Sequence, residues 1–581
     1  MDAALSATEQ GYGTCRPDAA DAAAAFPTAR TTATTPPWRD TEDEEADGAW
    51  INWRTLMQYS GPGLLMSIAF LDTGNLEADL QQGATTGFSL LWLLFLAHVI
   101  GFLLQSLSCR LGNSTGKHLA QACSEYLPRS VAVCLYCLME LAVICVDVQQ
   151  VMGGAVAFQL LFGVPLWGGA TLTSIGSLVL LSLGGSEAER VGGLFMILVA
   201  TMTACFAINF FADVPRGDEL AEGMIPNVSH RTAESAVATL GAIVMPHNLY
   251  LHSALVLANN NSGGRVRSPR KIREANKYCM LDAALSLSLC FLVNAAVVSC
   301  FSQNFYSTEC AFEAGDRALA CVDGVLAKDG GGMDDDSVIC SIQGELGVCM
   351  DIGLHGAGDA LSSSIGSAAK YIWAVGLLAA SQSCVITGTY AGQFLLDGFW
   401  NVSLPPVVRS AFTRFGALVP ATLVAYYYAG QARKEDVIDQ WMNMLQSVLL
   451  PFALLPLIML TDSEAVMGAG TVNSRALSLL CWAVIAVVFC ANGYLASQMV
   501  TEWLDAARSD LAASGELRVL LPVALLGMVY FFSLWGLARV LGACTRREVG
   551  ATAAAAAARK SANTKNTQQR RSHCEVGAPS E

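Results

Sequence analysis

"ATLGAIVMPHNLYLHSALVLA" occupies residues 238–258. It is long and apolar enough to cross a bilayer as one helix, yet Met245-Pro246-His247 stands near its middle. Proline lacks an N–H and clashes with the preceding turn, so it kinks or opens a helix. The carbonyls released around Ala242 and Ile243 then need other partners. At membrane depth, open backbone is tolerated only where it is buried in protein or lines a cavity. Met245 adds a soft thioether at this point, and His247 an imidazole that accepts a proton. A methionine within a span is ordinarily packing. Its reading as a ligand depends on a second opened helix.

"SIAFLDTGNLEADL" (67–80) supplies a second interruption at Asp72-Thr73-Gly74-Asn75. A carboxylate at membrane depth is costly unless paired, hydrated or bound to a cation. Gly74 allows the backbone to leave the helix, and Asn75 adds a neutral oxygen. Taken alone, the segment fits equally well a span that ends near Leu71 with these residues as its cap. The two interruptions fall in the first and sixth apolar spans. Five spans of separation is the spacing of two five-helix units repeated in inverted topology. Discontinuous helices that meet near the midplane are the usual sign of a secondary-transport site.

The rest of the chain agrees with a membrane setting. Of 581 residues, 53% are apolar and only 14% charged, against about 25% charge in a soluble protein. Apolar runs recur near 55–80, 88–108, 131–157, 167–185, 190–213, 235–258, 278–300, 365–394, 410–430, 439–460, 475–497 and 519–540. The expected fold is an all-α integral membrane protein of about twelve transmembrane helices, with discontinuous first and sixth helices and two helices beyond the repeat. A lipid-anchored or signal-led soluble domain is excluded.

The transmembrane domain is expected to span 51–543. Residues 1–50, acidic at "DTEDEEAD" (40–47), and the tail 544–581 lack an apolar core and read as disordered appendages. Basic "RVRSPRKIREANK" (265–277) and "TRREVG" (545–550) belong in the cytosol by the positive-inside rule, which places both termini there. The 301–362 connection then faces the exterior or a lumen. It is acidic at "DGGGMDDD" (329–336) and carries Cys310, Cys321, Cys340 and Cys349. Four cysteines in an oxidising compartment permit two disulfides in three pairings. Asn227, in "NVS", is a glycosylation acceptor on the same side. Cys134 and Cys137 form a C-x-x-C with no neighbouring ligand pair, and most remaining cysteines read as core filler. In the third span, Glu140 and Asp147 lie seven apart and share a helical face.

These segments resemble the Nramp family of proton-coupled divalent transition-metal transporters. The family's Asp-Pro-Gly-Asn motif is met by Asp72, Gly74 and Asn75, and its "MPHNLYLHS" is present unchanged at 245–253. "CRLGNSTGKHLA" (109–120), "VPLWGG" (164–169), "REANKY" (273–278), "ITGTYAGQ" (386–393), "MNMLQS" (442–447), "PFALLPL" (451–457) and "ANGYL" (491–495) follow in family order. The resemblance implies a metal held by the Asp72 carboxylate, the Asn75 side chain, the Met245 sulfur and the Ala242 carbonyl, with Asn443 approaching in one state of the cycle. It implies a proton route through Asp72, His247, Glu140 and Asp147, with Arg414 pairing along it. Two positions depart from the pattern. Gln150 stands where the family has a glutamate, and an amide cannot carry a proton. Thr73 stands where the family has the proline of its motif. Threonine leaves φ free and restores an N–H, so a more mobile break is expected. Thr73, Gly74 and Pro246 are the expected backbone breakers.

The chemistry of the donor set points the same way. Oxygen donors alone suit Ca²⁺ and Mg²⁺, whereas a thioether favours softer ions such as Mn²⁺, Fe²⁺, Zn²⁺ and Cd²⁺. The metal is cargo, and no resident cofactor, nucleic-acid partner or enzymatic activity is expected. The expected partners are metal ions, protons and the bilayer, with the monomer as the functional unit. Plasma membrane and acidic vacuolar or endosomal membranes both fit. Two other readings are carried forward: weakly coupled or uncoupled transport that admits Mg²⁺ or Ca²⁺, and a metal-sensing membrane scaffold without turnover.

Overall fold

A computed structural model describes residues 52–59, 71–182, 185–212, 214–259, 268–312, 319–323, 339–342, 345–350, 352–402, 435–468 and 470–510, with isolated positions in 405–426 and 534–542. Trp53–Tyr59 is a short helix. The chain then runs through α1 (Thr73–Thr86), α2 (Leu91–Thr115), α3 (Arg129–Phe162), α4 (Leu166–Ser182) and α5 (Gly185–Ala212). Helices α6 (Ala233–Ile243) and α7 (Pro246–Asn259) are two parts of one span, parted at Val244-Met245. They are followed by α8 (Pro269–Phe305), α9 (Ser367–Trp400), α10 (Glu435–Thr461) and α11 (Arg475–Asp510).

Among the described residues, seven segments are long and apolar enough to cross a membrane, namely α2, α3, the α6–α7 pair, α8, α9, α10 and α11. Shorter apolar stretches, Leu166–Leu180 and Ile197–Ile208, lie in α4 and α5. This is a multi-span helical membrane protein, with fewer clear spans than the twelve expected. Residues 60–70 of the expected first span, most of 410–430 and most of 519–540 lie outside the described residues, as do both tails.

Two apolar cores sandwich a polar layer. One gathers Leu104 and Leu111 of α2, Leu135 to Val143 of α3, Leu249 and Leu251 of α7, and Tyr390 to Leu395 of α9. The other gathers Leu76 and Leu80 of α1, Val148 to Leu160 of α3, Phe301 of α8, and Trp373 to Ala380 of α9. Both α3 and α9 pass from one core to the other. Where they cross lie buried Asp147, Gln149 and Gln150 on α3, and Ser381, Gln382, Thr387 and Thr389 on α9. Ser381 Oγ donates to the Gln150 carbonyl at 2.6 Å, tying the two helices together in this layer.

Helix α10 shows how the fold handles backbone left open in a waterless setting. Pro451 lies inside the helix and supplies no N–H to the Ser447 carbonyl one turn earlier. Asn492 of α11 takes the missing role: its Nδ2 donates to that carbonyl at 2.9 Å, and its Oδ1 accepts from Ser447 Oγ at 2.9 Å.

The connection after α8 contains a β unit that a purely helical reading leaves out. Strands β1 (Ala320–Asp323), β2 (Ile339–Ile342) and β3 (Glu345–Met350) pair antiparallel in the order β1-β3-β2. Of the three possible pairings, the cysteines adopt Cys310–Cys349 and Cys321–Cys340, with Cα separations of 5.2 and 6.0 Å. The second bridge joins the two outer strands across β3. The unit is anchored to the bundle where Gln81 Nε2 of α1 donates to the Ile352 carbonyl. Arg231, in the segment leading into α6, also donates to the Ala311 carbonyl at 3.1 Å. Within the loop, the Glu309 carboxylate accepts from the Ser307 hydroxyl and, at 3.3 Å, from the Ser341 N–H.

Two outcomes follow from these anchors. Asn492→Ala leaves a buried carbonyl and a hydroxyl unpaired, a cost of about 1–3 kcal/mol per group, and is expected to lower the thermal midpoint in detergent. The Ser307 hydroxyl, and then the Ser341 N–H, hold the Glu309 carboxyl below its ordinary value. A depressed carboxylate contributes stability at every pH above its unfolded value and loses it only as pH falls through the folded one. Limited proteolysis of the loop is therefore expected to run at the same rate at pH 7 and pH 5; loop cleavage accelerated at pH 5 contradicts this.

Candidate metal centre

The interruption at 71–75 is sharper and two residues earlier than the sequence suggests. Asp72 is extended, with φ −91° and ψ 171°, and α1 begins at Thr73. Its Oδ1 accepts from the Asn75 N–H at 2.7 Å, the geometry of an aspartate N-cap. Gly74 and Asn75 lie in the first helical turn, so the expected departure of the backbone at Gly74 is corrected to Asp72. The cap and the buried polar site are one structure: Asp72 caps a helix whose every residue except Gln81 is buried.

Thr73 explains why a residue other than proline serves here. Its Oγ1 lies 3.1 Å from the Gln149 carbonyl and 3.1 Å from Gln150 Oε1. Its methyl group packs against Gly153, where any larger residue would collide with it. Gln150 Nε2 in turn donates to Asp72 Oδ2 at 3.1 Å. The two departures from the family pattern therefore touch each other and both meet Asp72. The mobile break expected of threonine is corrected: the hydroxyl pins the turn to α3.

The second interruption is built as the proline dictates. Helix α6 ends at Ile243, Val244 leaves the helical region at φ −101° and ψ 71°, and α7 restarts at Pro246. Pro246 offers no N–H to the Ala242 carbonyl. Ala242 and Met245 are buried, at 0% and 1% exposure. Met245 Sδ accepts from Asn248 Nδ2 at 3.4 Å. His247, in the first turn of α7, is buried with its Nδ1 unpartnered among the described residues.

One residue touches both interruptions. Asn443 Nδ2 donates to the Gly74 carbonyl at 3.0 Å. The backbone carbonyl of Asn443 presses against Gly241, where a Cβ would not fit, so α6 and α10 meet backbone to backbone just before the break. Gln149 completes the network: its Nε2 donates to Asn443 Oδ1 at 2.8 Å and to the Asp439 carbonyl at 3.0 Å, and Gln446 donates to its Oε1 at 3.1 Å. Among the described residues, neither amide atom of Asn75, at 1% exposure, meets a partner at full hydrogen-bond geometry. They are donors and acceptors in waiting beside a capped carboxylate.

The remaining expected residues are more dispersed. Asp147 is fully buried on α3, with Oδ1 3.1 Å from where a side chain on Gly388 of α9 would begin. Glu140 is half-buried two turns earlier on the same helix. Arg414 lies outside the described residues. Asn227 is exposed between the Gly217–Gly223 helix and the turn at His230–Thr232. Cys134 and Cys137 are exposed on α3. Gln149, Gln446 and Asn492 escaped the sequence reading; the signal was an amide within an apolar run, as in "DVQQ" and "MNMLQS".

A polar layer between two apolar cores, with two helix breaks meeting on one asparagine, defines a multi-span membrane transporter of inverted-repeat fold. The solved Eremococcus coleocola manganese transporter, in complex with an aromatic bis-isothiourea substituted compound, superposes with a TM-score of 0.66 at 24% identity, covering 87% of this chain and 98% of that one. Residues 63–328 and 342–498 match the profile of the natural resistance-associated macrophage protein-like family, Nramp. Metal transporter Nramp4 of Arabidopsis thaliana is 37% identical over 500 residues, 84% of this chain and 87% of that protein. The metal transporter nramp1 homolog of Dictyostelium discoideum is 39% identical over 433 residues, 74% of this chain and 73% of that one. The chain belongs to the Nramp family of divalent metal transporters; it is a transporter and not an enzyme.

The contact between the two unusual residues has a measurable consequence. Thr73→Val removes one end of the Thr73–Gln150–Asp72 chain and Gln150→Leu removes its middle link. Residues sharing a hydrogen-bond network couple by about 0.5–3 kcal/mol. The double variant is expected to be less destabilised than the sum of the singles, measured by thermal unfolding; strict additivity rules the chain out as an energetic unit.

Proposed function

We propose that this chain moves divalent transition-metal ions toward the cytosol by alternating access. The metal is held by the Asp72 carboxylate, the Asn75 amide oxygen, the Met245 thioether and the Ala242 carbonyl. The observation that carries the reading is Asn443, which bonds the first break through Gly74 and abuts the second through Gly241. With its amide engaged by Gly74 and Gln149, Asn443 joins the metal only after those bonds open, which fits a ligand used in one state of the cycle. A single thioether among oxygens rejects hard Ca²⁺ and Mg²⁺ and leaves the softer divalent ions undiscriminated.

The full architecture in this reading is twelve spans over 51–543, with cytosolic tails 1–50 and 544–581, the stapled loop and a glycosylated Asn227 on the exterior or luminal face, and a monomer as the working unit. The membrane is the plasma membrane or an acidic vacuolar or endosomal one. Protons accompany the metal through Asp72 and His247, with Glu140, Asp147 and Arg414 continuing the route.

One observation favours a second reading, in which coupling is weak and selectivity broader. The group hydrogen-bonded to Asp72 Oδ2 is the Gln150 amide, which cannot receive the proton that metal binding displaces. The discriminating measurement is Mn²⁺ and Cd²⁺ uptake into sealed vesicles under an imposed pH gradient, with an internal pH reporter and competing Mg²⁺ and Ca²⁺. Asp72→Ala is expected to abolish uptake. Met245→Ala is expected to narrow the preference for Cd²⁺ over Ca²⁺ by about tenfold or more, the equivalent of about 1.4 kcal/mol. Gln150→Glu is expected to raise the number of protons moved per metal. Uptake indifferent to pH in the parent protein sinks the coupled reading, and metal binding without accumulation leaves only the sensing scaffold.

A further inference from the structure

A second group of soft donors lies away from the two breaks, with His252 seven residues beyond Met245 on α7. Cys109 on α2, Cys279 on α8 and His252 on α7 converge from three helices, at 1%, 3% and 0% exposure. His252 Nε2 is 4.0 Å from Cys279 Sγ. Cys279 also contacts Cys109, the two packing together with Val256. Both cysteines are unbridged. Asn113 Nδ2 donates to Cys109 Sγ at 3.2 Å and to Asn276 Oδ1 at 2.9 Å. Asn276 is half-buried and sits beside Arg273 and Lys277 near the start of α8. A line of polar groups thus leads from the basic end of α8 inward to two thiols and an imidazole.

We infer that Cys109, Cys279 and His252 form a separate binding site for a soft divalent cation such as Cd²⁺ or Zn²⁺, on the side of the membrane where α8 begins. Two thiolates and one neutral imidazole are a common donor set for these ions, with metal–sulfur distances near 2.3 Å and metal–nitrogen distances near 2.0 Å. Around a tetrahedral centre such distances put sulfur and nitrogen about 3.5 Å apart. The Cys279–His252 pair at 4.0 Å closes by about half an ångström, and Cys109 or His252 moves further to complete the triad, since the three donor atoms do not all lie within 4.8 Å of one another. Binding takes up one M²⁺ and releases one proton from each thiol. Two thiolate charges then cancel the charge of the ion, and a neutral complex is the form least penalised in an apolar interior. The fourth position is left to water or to the Asn113 amide oxygen after rotation. Two polar amides and a basic surface lie on the approach, and none of the three donors is a proposed ligand of the central site. The basic segment 268–277 puts this side in the cytosol, so the site lies along the direction of release and holds soft cargo longer than Mn²⁺. That consequence rests on the transport reading; the site itself does not.

The test uses full-length protein in lipid nanodiscs, isolated without reductant so that the loop bridges stay closed, in a Cys134→Ser/Cys137→Ser background. Titration with Cd²⁺ is expected to produce ultraviolet sulfur-to-metal charge-transfer absorption saturating at one equivalent, with two protons released per ion in weakly buffered solution. The absorption persists in Asp72→Ala and Met245→Ala, because the central ligands include no thiolate. Cys109→Ser and Cys279→Ser each weaken Cd²⁺ binding on the order of tenfold or more and cut the band, whereas His252→Ala weakens binding and keeps the band. Cys279→Ala stands in for a serine variant that fails to fold. The inference is overturned by any of three results: no band in folded parent protein, a band indifferent to both cysteine substitutions, or a Cys109–Cys279 disulfide in the peptide map, which makes the pair a redox couple. Loss of uptake with this band intact counts against the transport reading alone.

Discussion

Every feature of the central layer answers one constraint: a helix opened inside a bilayer must find partners for its exposed amides and carbonyls without water. The first break solves this with the carboxylate of Asp72 turned back on its own helix and the amide of Asn443 on the Gly74 carbonyl. Gln149 holds Asn443 in place, and Gln446 holds Gln149. The solution recurs away from the breaks, where Asn492 serves the carbonyl that Pro451 abandons. Amide side chains suit the task because each both donates and accepts, and none carries a net charge to be desolvated.

The same constraint explains why Thr73 and Gln150 occur together. Proline would fix the turn through its ring. Threonine fixes it through a hydroxyl, which needs an acceptor on α3, and Gln150 supplies one while passing its own amide protons to Asp72. A glutamate at 150 would place a second carboxylate beside Asp72, where two like charges resist joint ionisation. Rigidity is retained by different means, with a neutral amide clamped to Asp72.

Much of this was legible in the sequence, because the strongest signals are local. Pro246 within an apolar run dictates a break, and Asp72 within another demands a partner. The four cysteines of the acidic connection announced their bridges, though spacing left three pairings open. What was not legible depends on distant residues meeting. The N-cap role of Asp72 shifted the break by two residues, and only the α3 contact showed that Thr73 stiffens the turn. The small sheet escaped because its strands are four to six residues long and interrupted by glycine-rich, acidic segments, so they carry little periodicity. Likewise, Cys109, His252 and Cys279 are separated by more than twenty residues in each step and become neighbours only when three helices pack.

The hydrogen bond from Gln81 to the Ile352 carbonyl gives the stapled loop a mechanical office. Gln81 rides nine residues beyond Asp72 on a rigid helix, roughly 13 Å along its axis. On a lever of that length, a rotation of about 10° at the capped carboxylate displaces the tip by about 2 Å. The disulfide-braced sheet at that tip resists bending and so moves as a plate or lets go. The turn at Asp72 and the stapled sheet are thereby joined through one helix and one hydrogen bond, so that neither shifts without loading the other.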